Sequence, residues 1–396
     1  MSFLYRNIPL GRYRVPVPVL LWFLLTLIAA LAQLSRHSYN NYLIYKGVFT
    51  HLRAQTNLYG PYPAEYFDAN HYGPSFGPLI APFALLPDTL GVLLWCLANA
   101  ALLFRAIGLL PVERRARLFI LAFCAVELMT AIHNVQFNPM LAGFLILAFA
   151  GVERQREAVA PFPMAAGFLI KLYGIGGSLF FLFSKNKLRY IAGFLFWGLV
   201  LFALPMLFSS PAFVLQSYSD WLQSLMTKNA KNADFLASNG MQDISVMGMI
   251  RRMSGQAVSN LAVLAPAALL ILAPLLRFRQ YAALHYRLSY LAIVLISVVI
   301  FSSSAESSTY IIALPGVALW YLLNRERHPR AALALLLLTF VLTSLSPTDL
   351  FPKPLRESYV RPYSLKCLPV FLVWCWLIVQ VSFRNFRSEK SKDLAA

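Results

Sequence analysis

Long apolar runs, separated by short basic or polar segments, recur along the whole chain. A helical run of about 20 apolar residues spans the hydrocarbon core of a bilayer. The pattern predicts twelve crossings. They are Val15 to Leu34; Leu79 to Leu109, broken by Pro82 and Pro87; the short Leu118 to Ile132 and Pro139 to Val152; and two half-length segments, Pro163 to Ile170 and Gly174 to Phe183, around Lys171. Tyr190 to Phe208, Val258 to Leu276, Leu288 to Phe301, Tyr310 to Leu323, Ala331 to Leu345 and Cys367 to Phe383 follow. The expected fold class is all-α: one polytopic transmembrane helical bundle over residues 1–383, with short or re-entrant helices, and a basic tail at 384–396.

Composition agrees with this pattern. Of 396 residues 59% are apolar and 13% charged, against about 25% charged in soluble domains. Mean hydropathy is +0.62. Abundant Leu and aromatics exclude a disordered chain. Cys96, Cys124, Cys367 and Cys375 show neither disulfide nor metal spacing and read as reduced filler.

The net charge of +18 suits cytoplasmic loops better than a nucleic-acid footprint. With the N-terminus inside, the inner segments carry Arg6, Arg12, Arg14; Arg114, Arg115, Arg117; Arg154, Arg156; Lys185, Lys187, Arg189; Arg277, Arg279, Arg287; Arg325, Arg327, Arg330; and Arg384, Arg387, Lys390, Lys392. That is 21 of 34 basic residues, and it predicts both termini in the cytoplasm. Reading Pro163 to Phe183 as a pair, not one span, keeps the basic Ser184–Arg189 segment inside. No small-residue cleavage site follows the first apolar run, which reads as an uncleaved span.

The chemistry-bearing residues fall in the outer segments and at breaks between spans. No phosphate-cradling Gly-rich loop, His-Glu-x-x-His or Gly-x-Ser-x-Gly occurs, which argues against a nucleotide-driven pump, a zinc protease and a serine hydrolase. Ser35 to Pro78 is dense in Tyr, Asn and Pro and holds Glu65, Asp68, His71 and Tyr72, a set suited to sugar rings and hydroxyls. His133-Asn134-Val135-Gln136-Phe137-Asn138-Pro139 places three amides at a break in the membrane, where polar groups line cavities. Lys171 lies between apolar segments, and an ammonium at that depth calls for an anionic partner or water; a lipid phosphate is such a partner. Glu306 lies in the short polar Ser302–Thr309 segment. Arg251 and Arg252 end the Ser245 turn as a pair suited to phosphate. Glu127, inside the third span, receives no role.

Over roughly Tyr39 to Leu323 these pieces resemble the GT-C class of integral-membrane glycosyltransferases, in particular glycosyltransferase family 87, which includes polyprenyl-phosphate-mannose-dependent α-mannosyltransferases. Asn41-Tyr42-Leu43-Ile44-Tyr45, Asn57-Leu58-Tyr59 and Tyr72-Gly73-Pro74 are similar to that family's Asp-Phe-x-Val-Tyr, Asp-x-Tyr and Tyr-Pro-Pro. Asn134 to Leu141 resembles its Gly-Gln-x-Asn-x-Leu, and Lys171-Leu172-Tyr173 its Lys-Pro-Tyr. The resemblance implies transfer of a hexose, mannose first, from a polyprenyl-phosphate donor to a lipid-linked or envelope glycan, with inversion, at the outer face of a bacterial inner membrane. Asn41, Tyr45, His71, Tyr72, Asn134, Gln136, Asn138, Lys171, Arg251 and Arg252 are the expected binding residues. The family's early aspartate falls on Asn41, and an amide cannot take a proton. The base is therefore expected at Asp68, with Glu65 next and Glu306 as a further choice. Neither nucleotide nor metal is obligatory, although a divalent cation is compatible with carboxylate pairs. A membrane transporter of a lipid-linked or small polar substrate is the alternative; the absence of an internal repeat weighs against it.

Overall fold

A computed structural model describes residues 5–11, 13–233 and 242–388. Arg12, Lys390, Lys392 and most of the predicted tail lie outside the described residues, as does 234–241 of the second outer segment. The regular structure is overwhelmingly helical, as expected for an all-α membrane bundle. The exception is an N-terminal hairpin of β1 (Asn7–Leu10) and β2 (Tyr13–Pro16), which pair antiparallel.

Among the described residues four helices are long and apolar enough to cross a membrane: α1 (Val17–Ser35), α4 (Asp88–Gly108), α5 (Arg114–His133), and α8 (Lys187–Ala203) continued by a 3₁₀ turn to Leu207. Eight shorter apolar helices among the described residues coincide with the remaining expected segments. They are α6 (Asn138–Glu153), α7 (Pro161–Ile170), a 3₁₀ helix at Leu172–Phe183, and the segments Asn260–Leu276, Leu284–Ile300, Leu314–Asn324, Pro329–Leu345 and Leu368–Phe383.

Several boundaries differ from expectation. The third span is a full 20 residues because its helix begins at Arg114; basic side chains reach back to the interface and let the helix continue beneath them. The second apolar run divides into α3 (Phe76–Ala84) and α4. The break is at Pro87, which precedes α4, while Pro82 is accommodated inside α3. Two polar stretches expected as loop are helical: α2 (Asn40–Ala54) and α9 (Pro211–Ala233).

The chain divides into two compact units. Unit I comprises Phe23–Leu110 and Ala131–Lys228; unit II comprises Met1–Trp22, Pro111–Thr130 and Asn229–Ala396. In unit I, α4 packs on α6, α6 on α7, and α7 on both the 3₁₀ helix and α8. The chain reverses at Lys171. Gly174 lies so close to Gly167 that a Cβ on it would overlap the Gly167 backbone. Beside these, α9 buries Val214, Tyr218 and Trp221 against Leu52 of α2 and Leu58. The spacing i, i+4, i+7 gives α9 one apolar face.

In unit II, Leu284–Ile300 packs against Leu314–Asn324 and Leu368–Phe383. Several polar side chains inside this core are paired, although the buried Trp320 Nε1 has no partner among the described residues. Trp374 Nε1 donates to Ser297 Oγ at 2.9 Å, and Asn324 and Gln380 bond through their amides. All four cysteines are free thiols.

Candidate active site

The amide-rich break between α5 and α6 is built on strain. After α5, Val135 N bonds the Ile132 carbonyl at 2.8 Å and Gln136 N bonds the Ala131 carbonyl at 3.1 Å. This hydrogen-bond pattern ends helices at a left-handed residue, usually glycine. Here the residue is Val135, at φ 49°, and a β-branched side chain is disfavoured in that region. Such strain persists where neighbours over-determine it. Asn41 Nδ2 donates to the Asn134 carbonyl at 2.7 Å, Trp95 Nε1 donates to the Val135 carbonyl at 3.4 Å, and the Val135 side chain is buried.

The turn aims Gln136 inward. Its Oε1 accepts from Tyr45 Oη at 3.3 Å and from Tyr72 Oη at 3.4 Å, and the two phenols are 3.2 Å apart. The rings of Tyr45, Tyr72, Phe76 and Trp95 pack at centroid distances of 5.0–5.7 Å. Two residues further on, Asn138 opens α6, and its Oδ1 accepts from Lys171 Nζ at 2.9 Å. Asn99 Oδ1 receives Met140 N and steadies this helix start.

Lys171 sits in extended backbone (φ −148°, ψ 120°) between α7 and the 3₁₀ helix. Its ammonium lies 4.8 Å from the Tyr173 ring centroid and 5.8 Å from that of Tyr72. Lys171, Asn138, Tyr72, Gln136 and Tyr45 thus form one connected polar chain within apolar surroundings. The loop carrying Tyr72 is fixed to the same point. Gly73 N donates to the Ile170 carbonyl at 3.0 Å, and a Cβ on Gly73 would overlap the Leu169 carbonyl oxygen. A proline, which the family pattern places here, lacks that N–H.

The first-loop residues are also stitched together. Tyr59 Oη donates to the Tyr72 carbonyl at 3.1 Å, and Asn70 Nδ2 donates to the Leu58 carbonyl at 3.2 Å. Burial, with Tyr218 and Asp220 adding to it, holds the Tyr59 phenol well above its ordinary pKa, so it stays a donor. His71 Nδ1 meets Ser224 Oγ at 2.9 Å, and its carbonyl accepts from Trp221 Nε1 at 2.9 Å. Asp68 is exposed and accepts from the adjacent Ala69 N–H. Glu65 pairs with His51 Nε2 of α2, at 3.1 Å to Oε2.

The other candidates belong to unit II. Arg251 is 1% exposed. It donates from Nη1 to Asp243 Oδ2 at 2.7 Å, from Nε to the Val258 carbonyl at 2.9 Å, and from Nη2 to Asn260 Oδ1. Arg252 donates to the Gln242 and Asp243 carbonyls and to Ser364 Oγ. Both guanidiniums therefore tie the last turn of α10 (Val246–Ser254) to the Gln242–Asp243 segment that precedes the helix. Glu306 caps the 3₁₀ helix Ser307–Ile312 in a capping box with Thr309, which gives its carboxylate a local structural use.

Three participants went unnoticed in the sequence: His51, Asp243 and Lys366. His51 lies 14 residues from Glu65 across an irregular loop, with no spacing to link them. Lys366 Nζ donates to Glu127 Oε1 at 2.7 Å and to Ser307 Oγ at 3.0 Å; its partner was visible as an intramembrane acid, but 239 residues separate the two. Among the described residues no three His, Cys, Asp or Glu side chains group as metal ligands would.

No match was found among curated proteins. Residues 70–303, more than half of the chain, match glycosyltransferase family 87, a stretch that contains Tyr72, the Gln136 turn and Lys171. The chain belongs to glycosyltransferase family 87.

Proposed function

We propose that this glycosyltransferase moves a hexose, mannose in the first instance, from a polyprenyl-phosphate carrier to a lipid-linked or cell-envelope glycan. The observation that carries the reading is Lys171. A cation in a chain break between apolar helices, braced by Asn138 and two aromatic faces, is where a lipid-borne phosphate would be met. Lys171 holds that phosphate and stabilises the charge that develops as the C1–O bond breaks. Tyr45, Tyr72 and Gln136 present a bank of hydroxyl and amide groups to the sugar. A first-loop carboxylate, Asp68 or Glu65, takes the proton of the acceptor hydroxyl. Attack opposite the departing phosphate inverts C1. The donor brings its own leaving group, and a divalent cation is at most an optional aid.

The class is GT-C, and the reaction takes place at the outer face of a bacterial inner membrane. The support for this orientation is the concentration of Lys and Arg in the segments assigned to the cytoplasm, with both termini on that side.

The test is transfer of radiolabelled mannose from polyprenyl-phosphate-mannose to lipid acceptors in membranes carrying the full chain. A charge-assisted hydrogen bond is worth roughly 1.5–3 kcal/mol, so Lys171→Gln is expected to lower kcat/KM for the donor about 10- to 100-fold. Wild-type rates in Lys171→Gln would overturn the phosphate role. A wild type inert on every polyprenyl-phosphate hexose would overturn the donor.

A further inference from the structure

Glu65 and Asp68 are three residues apart on one loop, yet they differ in what stands behind them. Asp68 has the Ala69 N–H at 2.8 Å. Glu65 has a buried imidazole. His51 Nε2 lies 3.1 Å from Oε2 and 3.3 Å from Oε1 of Glu65, so it addresses the inner edge of the carboxylate across both oxygens. The imidazole side chain is 8% exposed and the carboxylate 51%; one partner is fixed in the protein and the other faces outward.

The ring is locked as well as buried. It stacks on Tyr62 with centroids 3.8 Å apart and planes 25° from parallel. Among the described residues its Nδ1 has no hydrogen-bond partner, so none of them competes with Glu65 to set the tautomer. A carboxylate only accepts, so Nε2 carries the hydrogen. Tyr62 and Tyr66 are the other titratable groups against this pair. Arg53, one half-turn on along α2, lies over the Phe49 ring at 5.7 Å.

We infer that Glu65 is the proton acceptor of the sugar transfer and that His51 is the positioning residue that holds it. An acceptor-side base oriented by a third group is the general logic of an activated nucleophile. In the step, the acceptor O–H proton passes to the outer edge of the Glu65 carboxylate. The oxygen's electron pair forms the new bond to C1. The C1–O bond to phosphate breaks, its pair leaving with the polyprenyl phosphate. Glu65 then returns the proton to water. This assignment rests on the reading under "Proposed function" and replaces Asp68 with Glu65 as the base.

The test compares the full-length wild type with Glu65→Gln, Asp68→Asn, His51→Leu, His51→Gln and Lys171→Gln, using polyprenyl-phosphate-mannose and its hexose analogues. Removing a general base costs roughly 10²–10⁴ in rate. Glu65→Gln is expected to lower kcat about 100-fold or more. Its exposed side chain makes a folding defect a poor explanation of that loss. His51→Leu is expected to lower kcat about tenfold with the donor KM unchanged. His51→Gln restores an N–H where Nε2 stood and should return kcat to within about threefold of wild type.

Full activity in Glu65→Gln, wild-type kcat in His51→Leu, or no recovery in His51→Gln overturns the inference. Loss in Asp68→Asn with full activity in Glu65→Gln reassigns the base. Loss in Lys171→Gln alone overturns the base while the phosphate reading stands. The Glu65 and His51 effects with Lys171→Gln at full rate do the reverse. A wild type inert on every polyprenyl-phosphate hexose overturns both.

Discussion

Asn41 stands where the resembling family pattern has an aspartate, and its surroundings explain why an amide suits this chain. Its Nδ2 donates to the Asn134 carbonyl at 2.7 Å, next to Val135 in a conformation that a valine resists. A carboxylate at position 41 would face that carbonyl oxygen with no hydrogen to offer. Asn41→Asp is therefore expected to cost about 1 kcal/mol, the net worth of one such bond, and to bring no gain in sugar transfer. Thermal unfolding in detergent reads the first quantity and the radiolabel assay the second. A rise in transfer would return the base to position 41. The Asn41 amide thus holds the turn that aims Gln136 at Tyr45 and Tyr72.

At the scale of elements, the site depends on how closely the loop before α3 approaches the end of α7. Gly73 makes that approach, with its N–H on the Ile170 carbonyl and no room for a Cβ beside Leu169. Forcing a methyl into a packed position costs typically 1–3 kcal/mol, and occasionally more. Gly73→Ala should reach about 3 kcal/mol and lower transfer about tenfold or more, because Lys171 follows Ile170 directly. Gly60→Ala is the control: its nearest neighbour would be 3.7 Å away, and both stability and activity should stay near wild type. The twelve apolar segments were legible in the sequence because a bilayer demands continuous apolar length, and each has a counterpart in the structure. The helices α2 and α9 were not. Both mix Tyr, Asn and Lys with apolar residues, and their apolar sides meet only after folding, where Leu52 of α2 and the following Leu58 close over Val214, Tyr218 and Trp221. The residues around Lys171 were legible as types, since polar groups at membrane breaks stand out. Their partners were not, because Asn138 at the start of α6 and Lys171 after the end of α7 are brought together by the reversal of the chain between these two helices, which hydropathy does not encode. The same limit hid His51 behind Glu65.

For the molecule as a whole, the most consequential polar contact is one inside unit II. Lys366 and Glu127 are 3% and 0% exposed and pair at 2.7 Å, with Ser307 Oγ as a third member and the Tyr310 ring 5.1 Å from the ammonium. The pair joins α5 to the segment entering the last helix. Replacing one partner of a buried ion pair leaves the other charge uncompensated, at a cost of about 3–5 kcal/mol. Glu127→Gln should lose that much at neutral pH. Burial already lowers the pKa of Lys366 below the ordinary lysine value of 10.5, while the Glu127 charge opposes the shift. Without Glu127 the folded-state value falls further, whereas the unfolded chain keeps its own. Between the two values the unfolded state binds more protons than the folded state, so stability rises with pH across that window. The Glu127→Gln deficit should therefore be greatest at neutral pH and shrink as pH approaches 10.5. Lys366→Met in the same background removes the orphaned charge and should recover most of the loss at neutral pH and abolish the pH dependence. Unfolding midpoints in detergent at several pH values measure all three variants. A deficit independent of pH would mean that Glu127→Gln acts through packing instead of through the charge left on Lys366.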